Sequence, residues 1–277
     1  MEGSSSSPST MELSQKWLED CLQNHPSCNR PIASPFHQEG WHPSRLLSIT
    51  AKDSPLSIRL CVGSEVPTNA KYMTLSHCWG SLAILKLTEN NIQALQKNIQ
   101  PEQLCKTFRD AVDITRKLGI GFMWVDSLCI LQDSIEDWNH ESMLMGQVYS
   151  NSFCNIAATK APDGSHRCYA DRDPRAIIPC KIRPNWDYCF RSEEELWRNQ
   201  PSANYSLIEE GGESGCCIVS QDADCEAVPE FFYVKDEVYN TFEKEPLNRR
   251  AWVVQEKLLA PRVLHFSRSL VWQCNTM

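Results

Sequence analysis

The sequence of 277 residues lacks the features that mark several large classes of protein. It has no basic excess: 27 Lys and Arg stand against 35 Asp and Glu, and the net charge of −8 gives no general attraction to nucleic acid or anionic membranes. No apolar run approaches the roughly 18 residues of a membrane-spanning helix. No basic stretch followed by an apolar one marks a signal peptide. We therefore expect a cytoplasmic protein that has neither nucleic acid nor membrane as a partner.

Common catalytic motifs are missing as well. The chain has only 11 glycines, and they form neither a phosphate-binding loop nor the Gly-x-Ser-x-Gly turn of a nucleophile elbow. The sequence contains no internal repeat. Cysteine, in contrast, is abundant. Its 14 copies are scattered through a long chain without an export signal, so we expect mostly thiols rather than a disulfide framework.

The most informative segment is 72–80, with the sequence YMTLSHCWG. Its first half reads as a strand buried on both faces, and its second half is a polar, aromatic loop closed by a glycine. In open α/β sheets, ligands bind beyond the carboxyl ends of the strands. Ser76 and Trp79 are therefore candidate ligand-binding residues.

From residue 72 onward, strand and helix patterns alternate. Strands are predicted from 72, over 122–130 and over 153–158, with helices between them that end at Gly119 and span about 134–149. This order predicts an α/β fold with a mainly parallel sheet flanked by helices, similar to flavodoxin. Two short strands are also expected near 45–49 and 57–62, and a C-terminal β-hairpin over 262–274.

The composition divides the chain into segments. Residues 1–12 are rich in serine and are expected to form a disordered tail. Residues 13–70 are predicted to form an N-terminal helix and a loop-rich lead-in, and residues 71–277 the main domain, interrupted by an irregular insertion over 161–246. The chain stops within a strand-like segment, so we expect that it could be a fragment of a longer protein.

Three separated blocks carry a family resemblance. They are 72–80, 126–132 with the sequence DSLCILQ, and 250–259 with the sequence RAWVVQEKLL. In this order they resemble the signature of the fungal heterokaryon-incompatibility (HET) domain. The resemblance implies an intracellular effector of fungal non-self recognition that triggers growth arrest or cell death after incompatible cells fuse.

The third block also resembles TIR domains, which have been regarded as distant relatives of HET domains. Glu256 follows Trp252 by one helical turn, as in the Trp-Cys-x-x-Glu pattern of TIR domains, whose glutamate is catalytic in the members that cleave NAD. This sequence departs from that pattern because Val253 replaces the cysteine and a long insertion precedes the block. The resemblance implies a TIR-like fold, Glu256 as a catalytic carboxylate and NAD as a candidate substrate, with no bound cofactor.

Further roles follow if the enzymatic hypothesis holds. Trp79 and Trp252 would stack on the base, Ser76 and Asp126 would hold hydroxyls, and Arg250 would meet phosphate. Three of the candidates also have a structural alternative: Asp126 caps a turn or the next helix, Trp252 packs in the core, and Glu256 pairs with an arginine.

Glu141 lies at helical spacing from apolar residues, which places its carboxylate on the buried face of a helix. Buried charges are usually paired, so we interpret Glu141 as a structural acid.

A possible metal-binding pattern lies near the N-terminus. Cys21, His25 and Cys28 are zinc-ligand types close together, but no fourth ligand stands at a recognisable spacing. The sequence therefore predicts no metal site, and a short helix whose Cys and His side chains pack inward is favoured.

A non-enzymatic function remains open. In that alternative, the three blocks serve the fold of a signalling module that works by self-association or by binding other signalling proteins.

Overall fold

The computed structural model describes residues 4–29, 36–38, 40–171, 180–182, 231–233, 242 and 244–276. Residues 2–172 and 238–277 form one compact unit, and residues 173–237 belong to another. Within the described part of the second unit, two short strands pair antiparallel. The predicted insertion, 161–246, lies largely outside the described residues.

The helices and strands of the described residues are as follows. The α-helices are α1 (Pro8–Asn24), α2 (Pro26–Asn29), α3 (Ile92–Lys97), α4 (Lys106–Lys117), α5 (Asp126–Cys129), α6 (Ile135–Ser150) and α7 (Ala251–Leu259). The strands are β1 (Arg45–Ile49), β2 (Ile58–Val62), β3 (Tyr72–Ser76), β4 (Phe122–Trp124), β5 (Cys154–Ala157), β6 (Cys180–Ile182), β7 (Phe231–Tyr233), β8 (Arg262–Phe266) and β9 (Leu270–Cys274).

Seven of the described strands form one mixed sheet in the order β2-β1-β4-β3-β5-β8-β9. The α/β fold is confirmed, but the expectation of a mainly parallel sheet is not quite right. Parallel pairing is confined to the four central strands, and the pairs β2-β1, β1-β4 and β8-β9 are antiparallel. The reason is local, because β1-β2 and β8-β9 are joined by connections too short for a parallel crossover.

Two boundaries also differ from those predicted. Residues 8–12, assigned to a disordered tail, are helical, because the Ser7 side chain caps α1 and Pro8 stands at its first position, where its missing N–H costs nothing. The strand predicted over 122–130 ends at Trp124, and the apolar run that follows turns into α5.

Helices cover both faces of the sheet. On one face, Phe108 and Ala111 of α4 pack in a core with Met73 and Leu75 of β3. On the opposite face, side chains of α6 and α7 pack in a second core against the other sides of the same strands; its members include Tyr72, Trp124, Val148, Tyr149, Val253 and Ala260.

The central strand order β4-β3-β5-β8 corresponds to that of flavodoxin-like sheets. From β3 the chain passes to β4 on one side, and from β4 it crosses to β5 on the other. The topological switch point therefore lies between the carboxyl ends of β3 and β5, which is where such folds place their ligands.

No helix within the described residues combines the length and the apolarity needed to cross a bilayer.

Candidate functional site

A buried polar cluster occupies the switch point between β3 and β5. The Asn155 side-chain amide donates a hydrogen bond to Ser76 Oγ at 2.9 Å, and Thr74 Oγ1 donates to Asn155 Oδ1 at 3.0 Å. All three side chains are almost completely buried. Alternation along β3 and β5 directs them to the face that α6 and α7 cover. Hydroxyl and amide groups inside an apolar core are costly unless paired, and the register of β3 on β5 pairs them here.

Glu256 of α7 lies beside this cluster and is 4% exposed. Burial raises the pKa of its carboxyl from 4.5 to about 7, although the nearby Ser76 hydroxyl favours the ionised form. The charge of Asp126 raises the pKa further, while Arg250 and the Tyr149 hydroxyl lower it. Oε2 makes no hydrogen bond with any described residue. A buried carboxylate with an unpaired oxygen and a perturbed pKa is typical of a functional site.

Asp126 and Trp79 form a second part of the site. The indole Nε1 of Trp79 donates to Asp126 Oδ2 at 2.8 Å, and the backbone N–H of Ser127 donates to Oδ1 at 2.7 Å. Asp126 stands at the first position of α5, where the helix dipole favours a carboxylate. It keeps a side-chain exposure of 22%, so it can still meet a ligand.

The His77 ring lies between Trp79 and Asp126 on one side and the core residue Phe108 on the other. Its ring stacks on Trp79 with centroids 6.3 Å apart and meets the edge of Phe108 at 4.9 Å. Nδ1 lies 3.7 Å from Asp126 Oδ1, and neither ring nitrogen makes a hydrogen bond with the described part of the chain. Burial lowers the pKa of His77, and the neighbouring Asp126 opposes that effect.

Arg250 connects the third sequence block to the first. It is the residue immediately before α7, and its guanidinium donates a hydrogen bond to the backbone carbonyl of His77. Its charge also lowers the pKa of Glu256. The three blocks therefore meet at one edge of the sheet through Ser76, Asp126 and α7.

Trp252 does not join this group. Its side chain is 63% exposed and lines a surface groove with Phe36, Val254 and Leu258, whereas the buried stripe of α7 runs through Val253 and Glu256. Although Trp252 is one turn from Glu256, it lies at the margin of that stripe. The stacking of its indole on a ligand therefore stays a prediction, and it would need a different orientation of the Trp252 side chain.

Glu141 is 2% exposed and lies apart from the cluster in a network with Arg45 and Asp137. Arg45 Nη2 is 2.6 Å from Asp137 Oδ2 and 3.4 Å from Glu141 Oε1, and Arg45 Nε donates to the carbonyl of Cys129 at 2.7 Å. This network joins β1 to α5 and α6.

Three residues of the site were not singled out from the sequence as functional. Asn155 and Tyr149 carried no local signal beyond their apolar surroundings, and His77 stands in the first block without a recognisable catalytic pattern. Strand register could have indicated Asn155, because β5 pairs with β3 beside Ser76.

The cysteine–histidine pattern near the N-terminus is folded into a compact group. Cys21, His25 and Cys28 lie together, and Cys274 from the end of β9 joins them. Sequence spacing could not indicate this fourth residue.

The arrangement at the switch point offers a carboxylate that can stabilise positive charge, hydroxyl and amide groups that can orient a polyol, and a cation that can meet a phosphate. Comparison with known proteins adds one match: residues 72–256, more than half of the chain, match the family model described as heterokaryon incompatibility protein (HET). No curated protein and no solved structure matches the chain significantly.

Proposed function

The chain belongs to the heterokaryon incompatibility (HET) family, and on that premise we propose that it is an effector that kills incompatible fused cells by cleaving NAD. A role in heterokaryon incompatibility follows from the family. Cell death and NAD cleavage are the parts that we propose. The observation that carries the proposal is Glu256, whose buried carboxyl with a pKa of about 7 lies beside Ser76 at the sheet's switch point.

In the proposed reaction, the bond between the ribose and nicotinamide breaks, and its electron pair leaves with nicotinamide. The Glu256 carboxylate stabilises the positive charge that develops on the ribose. Water then adds to the anomeric carbon and loses a proton, which gives ADP-ribose. Ser76 and Asp126 would hold the ribose hydroxyls, Trp79 would stack on the base, and Arg250 would meet the pyrophosphate.

The protonation state of Glu256 fits this chemistry. The reaction needs an ionised carboxylate, and a pKa of about 7 leaves both forms populated near neutral pH. The nicotinamide ring of NAD is cationic, and an opposite charge nearby favours the ionised carboxylate. Substrate binding would therefore charge the group that the reaction needs. Because Glu256 is only 4% exposed, α7 would have to move away from the sheet locally before NAD could bind beside it.

The test compares three forms of the chain: wild type, Glu256→Gln and the control Gln255→Ala, which changes the neighbouring residue on the same helix. Each is expressed in yeast with growth and cellular NAD recorded, and each is purified and incubated with NAD while released nicotinamide is measured. We expect wild type and Gln255→Ala to deplete NAD, and Glu256→Gln to be slower by about 100-fold or more. Toxicity with undiminished NAD, or full activity of folded Glu256→Gln, would contradict the proposal.

A second candidate function is self-association without catalysis. The outer faces of α6 and α7 expose large apolar side chains: Met143 is 75% exposed, Trp138 52%, Trp252 63% and Leu258 67%. Exposed apolar surface of this kind favours protein–protein contact. In this case, Trp252→Glu with Leu258→Glu would abolish both the oligomer seen by light scattering and the toxicity, while NAD stays constant in every form.

A further inference from the structure

The cysteine–histidine group joins two parts of the chain that are distant in sequence. Cys21 lies in the last turn of α1, His25 follows it by four residues, and Cys28 lies on the short α2. Cys274 is the last residue of β9. One ligand atom from each of the four residues, three thiol sulfurs and one imidazole nitrogen, lies within 4.8 Å of every other. The three sulfurs are buried, and the histidine is partly buried.

The dimensions of the group suit a tetrahedral zinc ion. With Zn–S bonds of about 2.3 Å, ligand atoms at the corners of a tetrahedron lie roughly 3.8 Å apart. Cys274 Sγ is already 3.4 Å from His25 Nδ1, so only small side-chain movements separate the group from that geometry. The set of three cysteines and one histidine is a common structural zinc site.

The surroundings of the group are also those of a zinc site. While Nδ1 of His25 faces Cys274, its Nε2 lies 3.9 Å from the carboxylate of Asp20. A carboxylate behind a ligating histidine helps to fix the orientation of the ring. The Arg262 guanidinium donates to the carbonyl of Cys28 at 3.0 Å and places a positive charge beside the thiols. Three thiolates, one neutral imidazole and Zn²⁺ carry one net negative charge, which Arg262 complements.

Disulfide bonding accounts for the group less well. Three thiols cannot pair completely, and a disulfide would leave His25 and its carboxylate partner without a role. We propose that Cys21, His25, Cys28 and Cys274 bind one Zn²⁺. Four protein ligands leave no open position, so the site is structural rather than catalytic.

The proposed ion holds the N-terminal helices against the C-terminal hairpin. Two nearby contacts join the same parts of the chain. The rings of Trp17 and Trp272 are 6.5 Å apart, and the hydroxyl of Ser27 is 2.6 Å from that of Thr276, which lies just after β9. Because β9 is an edge strand of the sheet, the ion secures that edge to α1 and α2. Metal binding of this kind contributes directly to folding free energy.

The full chain is produced in zinc-supplemented medium without a metal-binding tag and purified. Its metal content is then measured by inductively coupled plasma mass spectrometry. The variants are Cys28→Ser, His25→Ala, His25→Cys and the control Cys61→Ser, a buried cysteine of β2 outside the group. We expect one zinc per chain in wild type, Cys61→Ser and His25→Cys, since four cysteines also hold zinc. We expect loss of zinc in Cys28→Ser and His25→Ala.

The wild-type chain tests the zinc proposal even if a variant does not fold. Replacement of zinc by cobalt in the wild-type chain should give the visible bands of tetrahedral cobalt with sulfur-to-metal charge transfer. Three results would overturn the proposal: a folded wild-type chain that lacks stoichiometric metal, a disulfide between two of the three cysteines, or zinc retained in both Cys28→Ser and His25→Ala. Loss of NAD cleavage in Glu256→Gln leaves zinc content unchanged, so the two proposals fail independently.

Discussion

Replacing Glu256 with glutamine should stabilise the fold in a way that depends on pH. Burial raises the pKa of this carboxyl from 4.5 to about 7, so the folded chain binds the proton more tightly than the unfolded chain does. The associated stability is fully present below pH 4.5, declines as the pH rises between 4.5 and about 7, and is lost above that window. The difference between the two pKa values corresponds to roughly 3 kcal/mol. Glutamine has nearly the same shape as glutamate but no charge to bury, so the substitution removes the loss of folding stability at high pH.

Urea unfolding followed by tryptophan fluorescence and circular dichroism would measure the effect across this pH range. At about pH 8, Glu256→Gln should be more stable than wild type by roughly 3 kcal/mol, and at about pH 5 the gain should shrink to less than about 1 kcal/mol. Gln255→Ala changes the same helix without changing a titratable group, so its difference from wild type should not vary with pH. An altered hydrogen bond in Glu256→Gln would add an offset that is the same at every pH. A pH-independent difference for Glu256→Gln would refute the assignment of a buried carboxyl with a raised pKa.

Two further predictions concern the surroundings of the site. Arg45→Met should destabilise the chain by about 3 to 5 kcal/mol in urea unfolding, because it leaves the buried carboxylate of Glu141 without its cation; a loss below about 1 kcal/mol would contradict the pairing. Gly80→Ala should cost about 2 kcal/mol or more, since Gly80 has φ +60° and a Cβ there would collide with Asp163. Gly119→Ala is the control in the same assay, because Gly119 has a similar backbone conformation, with φ +75°, but an added Cβ there has no neighbour within 4 Å. An equal loss of stability in the two variants would show that the Cβ at position 80 does not collide with Asp163.

Local patterns predicted much of the fold. The strands near 45–49 and 57–62 and the terminal hairpin correspond to β1, β2, β8 and β9, because turn residues and apolar runs mark such elements without help from the rest of the chain. The apolar run after Trp124 was assigned to a strand but forms α5. Periodicity alone cannot separate a short buried helix from a buried strand.

The site was less predictable, because its parts meet only in three dimensions. Strand order brings Ser76 beside Asn155, and the packing of α7 decides that Glu256 turns inward while Trp252 turns outward. Cys21, His25 and Cys28 are zinc-ligand types, but the sequence predicted no metal site because no fourth ligand stood at a recognisable spacing. The fourth group, Cys274, comes from the opposite end of the sequence. No local sequence pattern could indicate that Cys274 joins the group, since the two parts of the chain meet only because β9 packs beside α1.

The order in which the site's residues are synthesised has a consequence for the cell. Ser76 and Asp126 leave the ribosome before Glu256 and strand β8, which follow the long segment beyond β5. At about 5 to 20 residues per second, translation separates Ser76 from Glu256 by on the order of 10 to 40 seconds. Throughout that interval a nascent chain has Ser76 and Asp126 but lacks Glu256, the carboxylate that we propose as catalytic. A nascent chain is therefore without the proposed activity until Glu256 and β8 have been synthesised.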